Sequence, residues 1–225
     1  MASHSLDVLA RLTPQVPEPL VERAAAWTAG SVPAEARLAA SVVILRETAV
    51  GLETYLLHRH ARMAFAASMV VFPGGRLDPA DEADPDPIRR CAVRETEEET
   101  GVRLPPETLL PWAHWVTPEI EPRRYDTFFY LAELPAGQQA DDRSGETDRA
   151  DWSTPAAALV DEQAGRIALM PPTLSILLEL AELGSLAALR EAATDRVIER
   201  VLPRLVADGA GWRFVYPGAA GPEAS

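Results

Sequence analysis

The stretch between Val71 and Val102 constrains the fold of this chain more than any other. An apolar run leads into Pro73-Gly74-Gly75, a loop rich in proline and aspartate follows, and acidic residues close the stretch. Asp86 can accept free backbone amides, and the proline after it is preorganised for the first helical position, so a helix is predicted to begin there. Gly101 suits the cap that ends this helix. The chain is therefore expected to fold around a strand–loop–helix unit with an acidic end.

Three glutamates of the predicted helix lie on one of its sides. Glu95, Glu98 and Glu99 occupy positions i, i+3 and i+4, which cluster at about 100° per residue. A solvated acidic face is the ordinary interpretation of such a run, but negative charge is disfavoured near a helix C-terminus. A hard divalent cation would offset the repulsion, and carboxylate oxygens suit Mg²⁺ or Mn²⁺. The backbone of Gly74-Gly75 could approach such an ion closely, and Arg94 can pair with one glutamate and orient it.

The remaining elements are predicted from apolar periodicity and from turn residues. The predicted strands are residues 39–45, 55–57, 68–72, 112–116 and 127–134. The predicted helices are residues 19–30, 86–100, 152–160, 173–183, 185–193 and 195–206. Residues 135–151 are expected to form a polar loop. The three C-terminal helices could cap a site, pack on the fold or build a homodimer interface, and the sequence does not decide among these roles.

Composition narrows the classes of partner. The chain has 225 residues, enough for one sizeable core, and its net charge of −13 disfavours nucleic acid and anionic membranes. The single cysteine, Cys91, excludes an intrachain disulfide and is expected to be a small core residue. The N-terminus lacks a signal-peptide pattern, and no apolar run approaches the ~20 residues that span a membrane. A cytoplasmic protein is expected.

The acidic segment resembles a known family motif. Residues 94–102, RETEEETGV, are similar to the second half of the Nudix box, R-E-U-x-E-E-x-G-U with U apolar, and only Thr96 departs from it. The first half, G-x5-E before x7-R, fits less cleanly. Gly75 stands five residues farther from Arg94 than the motif allows, and the position of the motif glutamate, counted back from Arg94, holds Asp86.

This resemblance implies an α/β fold of the Nudix type, an α/β/α sandwich with a mixed sheet, over about residues 36–165. Residues 1–35 are expected to form an N-terminal extension with a short helix. Residues 166–216 are expected to form a helical extension packed on the domain, and residues 217–225 a flexible tail.

The resemblance also implies the roles of the site residues. Glu95, Glu98 and Glu99, with the carbonyl of Gly74, would bind Mg²⁺ or Mn²⁺, which would bridge a substrate diphosphate and acidify an attacking water. Glu98 and Glu99 would thus be catalytic, and Arg94 would orient them. A later loop often supplies one more carboxylate in this family, and Glu146 is the candidate; a solvated loop acid is the alternative.

The substrate side resembles a branch of the family with a lengthened box, which includes a peroxisomal coenzyme A diphosphatase. The matching residues are Leu56, Leu57, Arg59, Phe65, Val71 and Phe72. The bacterial coenzyme A signature does not match, because Ala64 and Ser68 replace its arginine and glycine. Arg59, Phe65 and Gly75 are therefore predicted to contact substrate. Arg123 and Arg124 are predicted to contact phosphate, with charge balance for Glu119 and Glu121 as the alternative.

Two classes of function follow from the resemblance. The first is a metal-dependent diphosphatase acting on a small-molecule nucleoside diphosphate derivative, with coenzyme A or acyl-coenzyme A as the leading substrate and ADP-ribose or a dinucleotide as the alternative. The second is a non-catalytic Nudix-fold module that binds a ligand or regulates a partner. Loss of the box carboxylates would mark the second class, and here they are all present.

Overall fold

The computed structural model describes residues 16–60, 68–143, 145, 147–209 and 211–217. Phe65 and Glu146 lie outside these residues. The α-helices are α1 (Glu18–Ala26), α2 (Pro87–Thr100), α3 (Pro155–Gln163), α4 (Pro171–Leu183) and α5 (Leu186–Thr194). The strands are β1 (Ala36–Thr48), β2 (Gly51–Arg59), β3 (Met69–Val71), β4 (Gly74–Arg76), β5 (Leu110–Val116), β6 (Arg124–Glu133), β7 (Thr147–Ser153), β8 (Ala168–Leu169), β9 (Arg200–Val201), β10 (Arg204–Asp208) and β11 (Gly211–Val215).

Nine strands form one mixed sheet around the long strand β1. The main order is β8-β3-β2-β1-β6-β5-β9, while β4 pairs with β1 and β7 pairs with β2. Strand β1 runs parallel to β6 and antiparallel to β2 and β4. Each of the five strands predicted from apolar runs is present. The segment between β1 and β2 is the predicted hairpin connection, with Thr48 paired to Gly51.

Alternate residues of the central strands face two separate hydrophobic cores, as the period of a strand requires. Val42 and Ile44 of β1 pack under α2, together with Cys91. Val43 and Leu45 pack on the opposite face, where α4 and α5 supply six residues of the core. The α/β/α sandwich is thereby confirmed, and α4 and α5 pack on the fold on the face opposite α2.

Helix α2 begins and ends where the sequence predicts. The Asp86 side chain caps it by accepting from the backbone N–H of Arg89 at 3.2 Å, and Gly101 ends it in the left-handed conformation at φ 73°. Cys91 and Ala92 are fully buried beneath it. Burial raises the pKa of the Cys91 thiol to about 12, so this side chain is a core residue and stays protonated at neutral pH.

Two predictions of secondary structure are wrong. The helix expected over 195–206 is absent; its C-terminal part forms β9 and β10, and β10 pairs with β11 as a hairpin. Pro203 interrupts any helix there, and Trp212 and Phe214 alternate as a strand requires. The loop expected over 135–151 ends early, because β7 begins at Thr147 and pairs with β2.

A buried arginine side chain, that of Arg196, binds the segment after α5 to the core. The guanidinium of Arg196 lies 2.6 Å from the Glu179 carboxylate and 3.9 Å from the Trp112 ring, and its Nε donates to the Trp112 carbonyl at 2.5 Å. The segment that leads into the C-terminal strands is therefore held against α4 and β5. None of the described helices is by itself long and apolar enough to span a membrane; only α4 and α5 taken together, bent by 111°, meet the criteria of length and composition.

Candidate active site

The loop between β3 and β4 brings the backbone against the C-terminal half of α2. Gly74 pairs with Ser41 of β1, and a Cβ added at Gly74 would lie 2.4 Å from the Ala40 carbonyl oxygen. The Gly74 backbone N–H donates to the Glu99 carboxylate at 2.8 Å. Only glycine fits this position, so the close approach of strand and helix depends on it. This bond fixes the carboxylate of Glu99, which is a buried residue with only 8% of its surface exposed.

The backbone of Gly75 contacts the carboxylate of a second glutamate, Glu95. A Cβ added at Gly75 would lie 2.4 Å from the carboxylate of Glu95, so this carboxylate rests directly on the glycine backbone. Burial raises the pKa of Glu95, and the neighbouring Arg94 partly offsets that shift. The glycine pair therefore positions two of the three glutamates predicted to bind a cation.

Arg94 is the electrostatic centre of the site. Its guanidinium lies 2.9 Å from Glu95, 3.1 Å from Glu98 and 2.8 Å from Asp81. It also donates to the carbonyl of Arg76 at 3.2 Å. The sequence predicted that Arg94 pairs with one glutamate. In the structure its guanidinium binds three carboxylates at once.

Asp81 is the residue that the sequence interpretation missed. It begins a short 3-10 helix (Asp81–Ala83), is 1% exposed, and accepts from the Asp78 backbone N–H at 2.9 Å. The hydrogen bonds from Arg94 hold the pKa of its carboxyl below the usual range. Counted forward from Gly75, Asp81 stands at the glutamate position of G-x5-E. Counting back from Arg94 gives Asp86 instead, because the five extra residues lie between Asp81 and Arg94. Asp86 is the cap of α2, as predicted.

The three glutamates differ in exposure, and this difference bears on cation binding. Glu99 and Glu95 are largely buried, whereas the Glu98 side chain is 59% exposed. Their carboxylate oxygens are the hard donors that Mg²⁺ and Mn²⁺ prefer. Within the described part of the chain, no three His, Cys, Asp or Glu side chains are gathered as a metal cluster. The donor chemistry fits a hard cation, while Arg94 at present holds two of the three carboxylates.

Arg59 lies on the same sheet face as the glutamate helix. It alternates with Tyr55 and Leu57, which both pack in the core under α2. His58 and His60 belong to the other face, where His58 lies 3.3 Å from Asp151 and His60 pairs with Asp148. This placement is compatible with the predicted role of Arg59 in substrate binding, which stays a prediction. The role of Phe65 also stays a prediction, since Phe65 lies outside the described residues.

Arg124, one of the two arginines predicted to contact phosphate, is the first residue of β6. Arg124 is buried, and its guanidinium donates to the backbone carbonyls of Thr117 at 3.1 Å and Ala34 at 2.7 Å. Glu121 pairs with Arg23 of α1 at 2.9 Å. These bonds give Arg124 a structural role at the start of β6. Phosphate binding by Arg123 or Arg124 stays a prediction.

The segment before β7 packs on the end of α2. The backbone N–H of Asp141 donates to the Thr100 carbonyl at 3.0 Å, and that of Arg143 donates to the Glu99 carbonyl at 2.9 Å. These bonds satisfy carbonyls that a helix C-terminus otherwise leaves without partners. The loop that contains Glu146 is thus anchored on the glutamate helix, although Glu146 itself lies outside the described residues and its role stays a prediction.

Comparisons with known proteins agree on one family. The family profile of the NUDIX domain matches residues 35–171. A Caenorhabditis elegans protein named nudix hydrolase 7 is 27% identical over 188 residues, which cover 68% of this chain and 63% of that protein. The acyl-coenzyme A diphosphatase of Gallus gallus is 26% identical over 217 residues, which cover 65% of this chain and 57% of that protein. The match thus spans about three fifths of the length of these curated relatives.

Solved structures show the same fold. The NUDIX hydrolase from Alicyclobacillus acidocaldarius superposes with a TM-score of 0.63 at 24% identity, covering 73% of this chain and 98% of that chain. The NUDIX domain of Shewanella oneidensis NrtR, solved in complex with ADP ribose, superposes with a TM-score of 0.51 at 18% identity, covering 74% and 98%.

Proposed function

The chain belongs to the Nudix hydrolase family, and we propose that it is a divalent-metal-dependent diphosphatase that cleaves the diphosphate linkage of a nucleoside diphosphate derivative. The observation that carries this proposal is the complete set of three glutamates on α2, two of them seated against Gly74-Gly75. A purely structural helix has no need of three carboxylates on one side near its C-terminus, where the helix dipole disfavours them.

Glu95, Glu98 and Glu99 would hold Mg²⁺ or Mn²⁺, with the carbonyl of Gly74 as a further ligand. When bound, the ion supplies Lewis-acid stabilisation of the diphosphate and lowers the pKa of a bound water. The chain's own residues have separate tasks. The Gly74 N–H fixes one oxygen of Glu99, and the Gly75 backbone supports Glu95. Glu98 is the solvent-facing carboxylate of the three and is therefore the one able to accept a proton from water at the site.

Arg94 keeps the glutamates in place without touching the reacting atoms. Since it binds Glu95 and Glu98 together, it limits the repulsion between the carboxylates before an ion is bound. Its ion pair with buried Asp81 fixes the guanidinium from the opposite side. Arg94 thus orients the residues that would hold the ion.

Coenzyme A or acyl-coenzyme A is the leading substrate. The likeness to the Gallus gallus acyl-coenzyme A diphosphatase supports this choice, as do Arg59 and the apolar run that precedes Gly74-Gly75. ADP-ribose and dinucleotides share the diphosphate and adenosine groups, so the same site would accept their common portion. Selection among them depends on the group beyond the diphosphate.

A substrate panel tests the proposal. Coenzyme A, an acyl-coenzyme A, ADP-ribose and a diadenosine polyphosphate are incubated with the protein and Mg²⁺ or Mn²⁺, and the products are identified by mass. We expect cleavage within the diphosphate, abolished by a chelator and restored by added metal. Binding of a panel member without cleavage of any would contradict the proposal and would favour the non-catalytic module.

A further inference from the structure

We infer that Arg143 is a substrate-binding residue that contacts the phosphates of the bound diphosphate. The inference rests on the proposed function and adds to it a cation that the box motif does not contain. Arg143 lies in the loop between β6 and β7, more than forty positions after the glutamates, and reaches the site only because this loop packs on the end of α2.

The backbone of Arg143 is tied to a glutamate of the site. Its N–H donates to the carbonyl of Glu99 at 2.9 Å, while the carboxylate of Glu99 accepts from the Gly74 N–H at 2.8 Å. Glu99 therefore connects the glycine loop on one side with Arg143 on the other. The bond from Asp141 to Thr100 fixes the loop at a second point. Arg143 is consequently positioned by rigid elements of the site.

The side chain of Arg143 lies against the end of the same helix. A Cβ added at Gly101 would lie 2.2 Å from Cζ of Arg143 and 2.5 Å from its Nη1. The guanidinium thus occupies space that any other residue at position 101 would fill. Gly101 is also left-handed, which by itself favours glycine there. The result is a cation placed within one turn of Glu98 and Glu99.

Arg143 also has hydrogen-bonding capacity to spare. Its side chain is 57% exposed, and its ion pair among the described residues is with Asp141 at 3.8 Å, beyond hydrogen-bond distance. Arg94 is engaged with three carboxylates, and Arg124 with two backbone carbonyls. Arg143 thus differs from both in presenting donors to solvent at the C-terminal end of the glutamate helix.

The charge of the protein favours such a cation. The net charge is −13, and the site itself adds three carboxylates, so a diphosphate approaching it is repelled until metal and protein supply positive charge. The chain contains no lysine, so any side-chain cation of unperturbed high pKa must be an arginine. A guanidinium can donate two parallel hydrogen bonds to phosphate oxygens, which suits this role.

A simpler role for Arg143 would be to stabilise the helix dipole, and Arg103 provides the matched control. Arg103 follows the same helix end, is 80% exposed, and lies 2.7 Å from Glu97, which is not one of the three site glutamates. Arg143→Ala and Arg103→Ala therefore remove the same charge from the same helix terminus. The two arginines differ in their partners: the backbone of Arg143 is bonded to Glu99, whereas the side chain of Arg103 pairs with Glu97.

The test compares the two variants with the natural protein. KM is measured for the panel substrate cleaved fastest, and ADP binding in Mg²⁺ is measured by calorimetry as a readout independent of turnover. We expect Arg143→Ala to raise KM and to weaken ADP binding about tenfold or more, because one charge-assisted hydrogen bond to phosphate is lost. The KM and the ADP affinity of Arg103→Ala should stay within about twofold of the natural protein. Arg143→Lys should restore part of the loss, because it keeps the charge without the planar fork.

The outcomes separate this inference from the proposed function. Equal KM and equal ADP affinity in Arg143→Ala and Arg103→Ala would overturn the inference while leaving the diphosphatase intact. Absence of cleavage by the natural protein would overturn the proposed function, and ADP binding would still test Arg143. Thermal unfolding of each variant is recorded, and if Arg143→Ala is unfolded, Arg143→Gln is used instead, because it retains more of the side chain against Gly101.

Discussion

Asp81 and Arg94 form a buried two-pronged ion pair that joins the loop after β4 to helix α2. Nε of Arg94 donates to Oδ1 of Asp81 at 3.0 Å, and Nη2 donates to Oδ2 at 2.8 Å. The same guanidinium holds Glu95 and Glu98. Asp81 is therefore the anchor from which the orientation of the glutamates is set.

Replacing this anchor should weaken both the fold and the site. We expect Asp81→Asn to lower the free energy of unfolding by about 3 kcal/mol, because one partner of a buried charged pair is left without its counterpart. Metal affinity should fall as well, since Arg94 becomes free to move with Glu95 and Glu98. Denaturant unfolding and Mg²⁺ titration measure the two effects. Glu82→Gln, an exposed change in the same short helix, is the control and should alter neither.

The ion pair also predicts how stability depends on pH. The pKa of Asp81 is lower in the folded than in the unfolded chain, where it is about 3.9. Its contribution is therefore fully present above the unfolded pKa and is lost as the pH falls through the folded value. The stability gap between the natural protein and Asp81→Asn should be constant from neutral pH to about pH 5 and should narrow below about pH 4. A gap that persists unchanged at lower pH would contradict the assignment of the shift to Asp81.

We expect a substitution of Gly75 to reduce metal binding and activity more than it reduces stability. An added methyl group at Gly75 would collide with the carboxylate of Glu95, which is the movable end of a side chain. We therefore expect Gly75→Ala to displace Glu95, to reduce Mg²⁺ affinity and turnover about tenfold or more, and to cost little stability. Gly30→Ala is the control, because nothing lies within 4 Å of a Cβ at that position. Equal Mg²⁺ affinity in both variants would show that metal binding does not depend on the contact between Glu95 and Gly75.

Helix α2 was predictable because its determinants are local. The cap at Asp86, the left-handed Gly101 and the spacing of the glutamates all lie within the segment itself. The role of Asp81 was not predictable by counting back from Arg94, since an insertion of five residues separates the two halves of the motif. Counting forward from Gly75 would have found it, because the loop up to Asp81 keeps the spacing of the motif.

The other features that the sequence did not reveal depend on contacts between distant segments. Strand β7 has the composition of a loop, and pairing with β2 makes it a strand. Arg124 begins a strand, and its charge favoured a phosphate contact. Its burial against Thr117 and Ala34 is decided by tertiary packing. Arg143 gives no signal in the sequence at all, since only the docking of its loop on Glu99 and Thr100 brings it to α2.

The most direct test of the central claim compares Glu98→Gln with Glu97→Gln on the substrate that the panel identifies. Both changes neutralise one exposed glutamate of α2, but Glu98 belongs to the site, whereas Glu97 pairs with Arg103. Turnover in saturating Mg²⁺ and thermal unfolding are measured for each. We predict that Glu98→Gln lowers turnover by orders of magnitude with an unchanged unfolding midpoint, and that Glu97→Gln stays close to the natural protein. Near-normal hydrolysis by Glu98→Gln would contradict the account of metal-assisted cleavage at these glutamates.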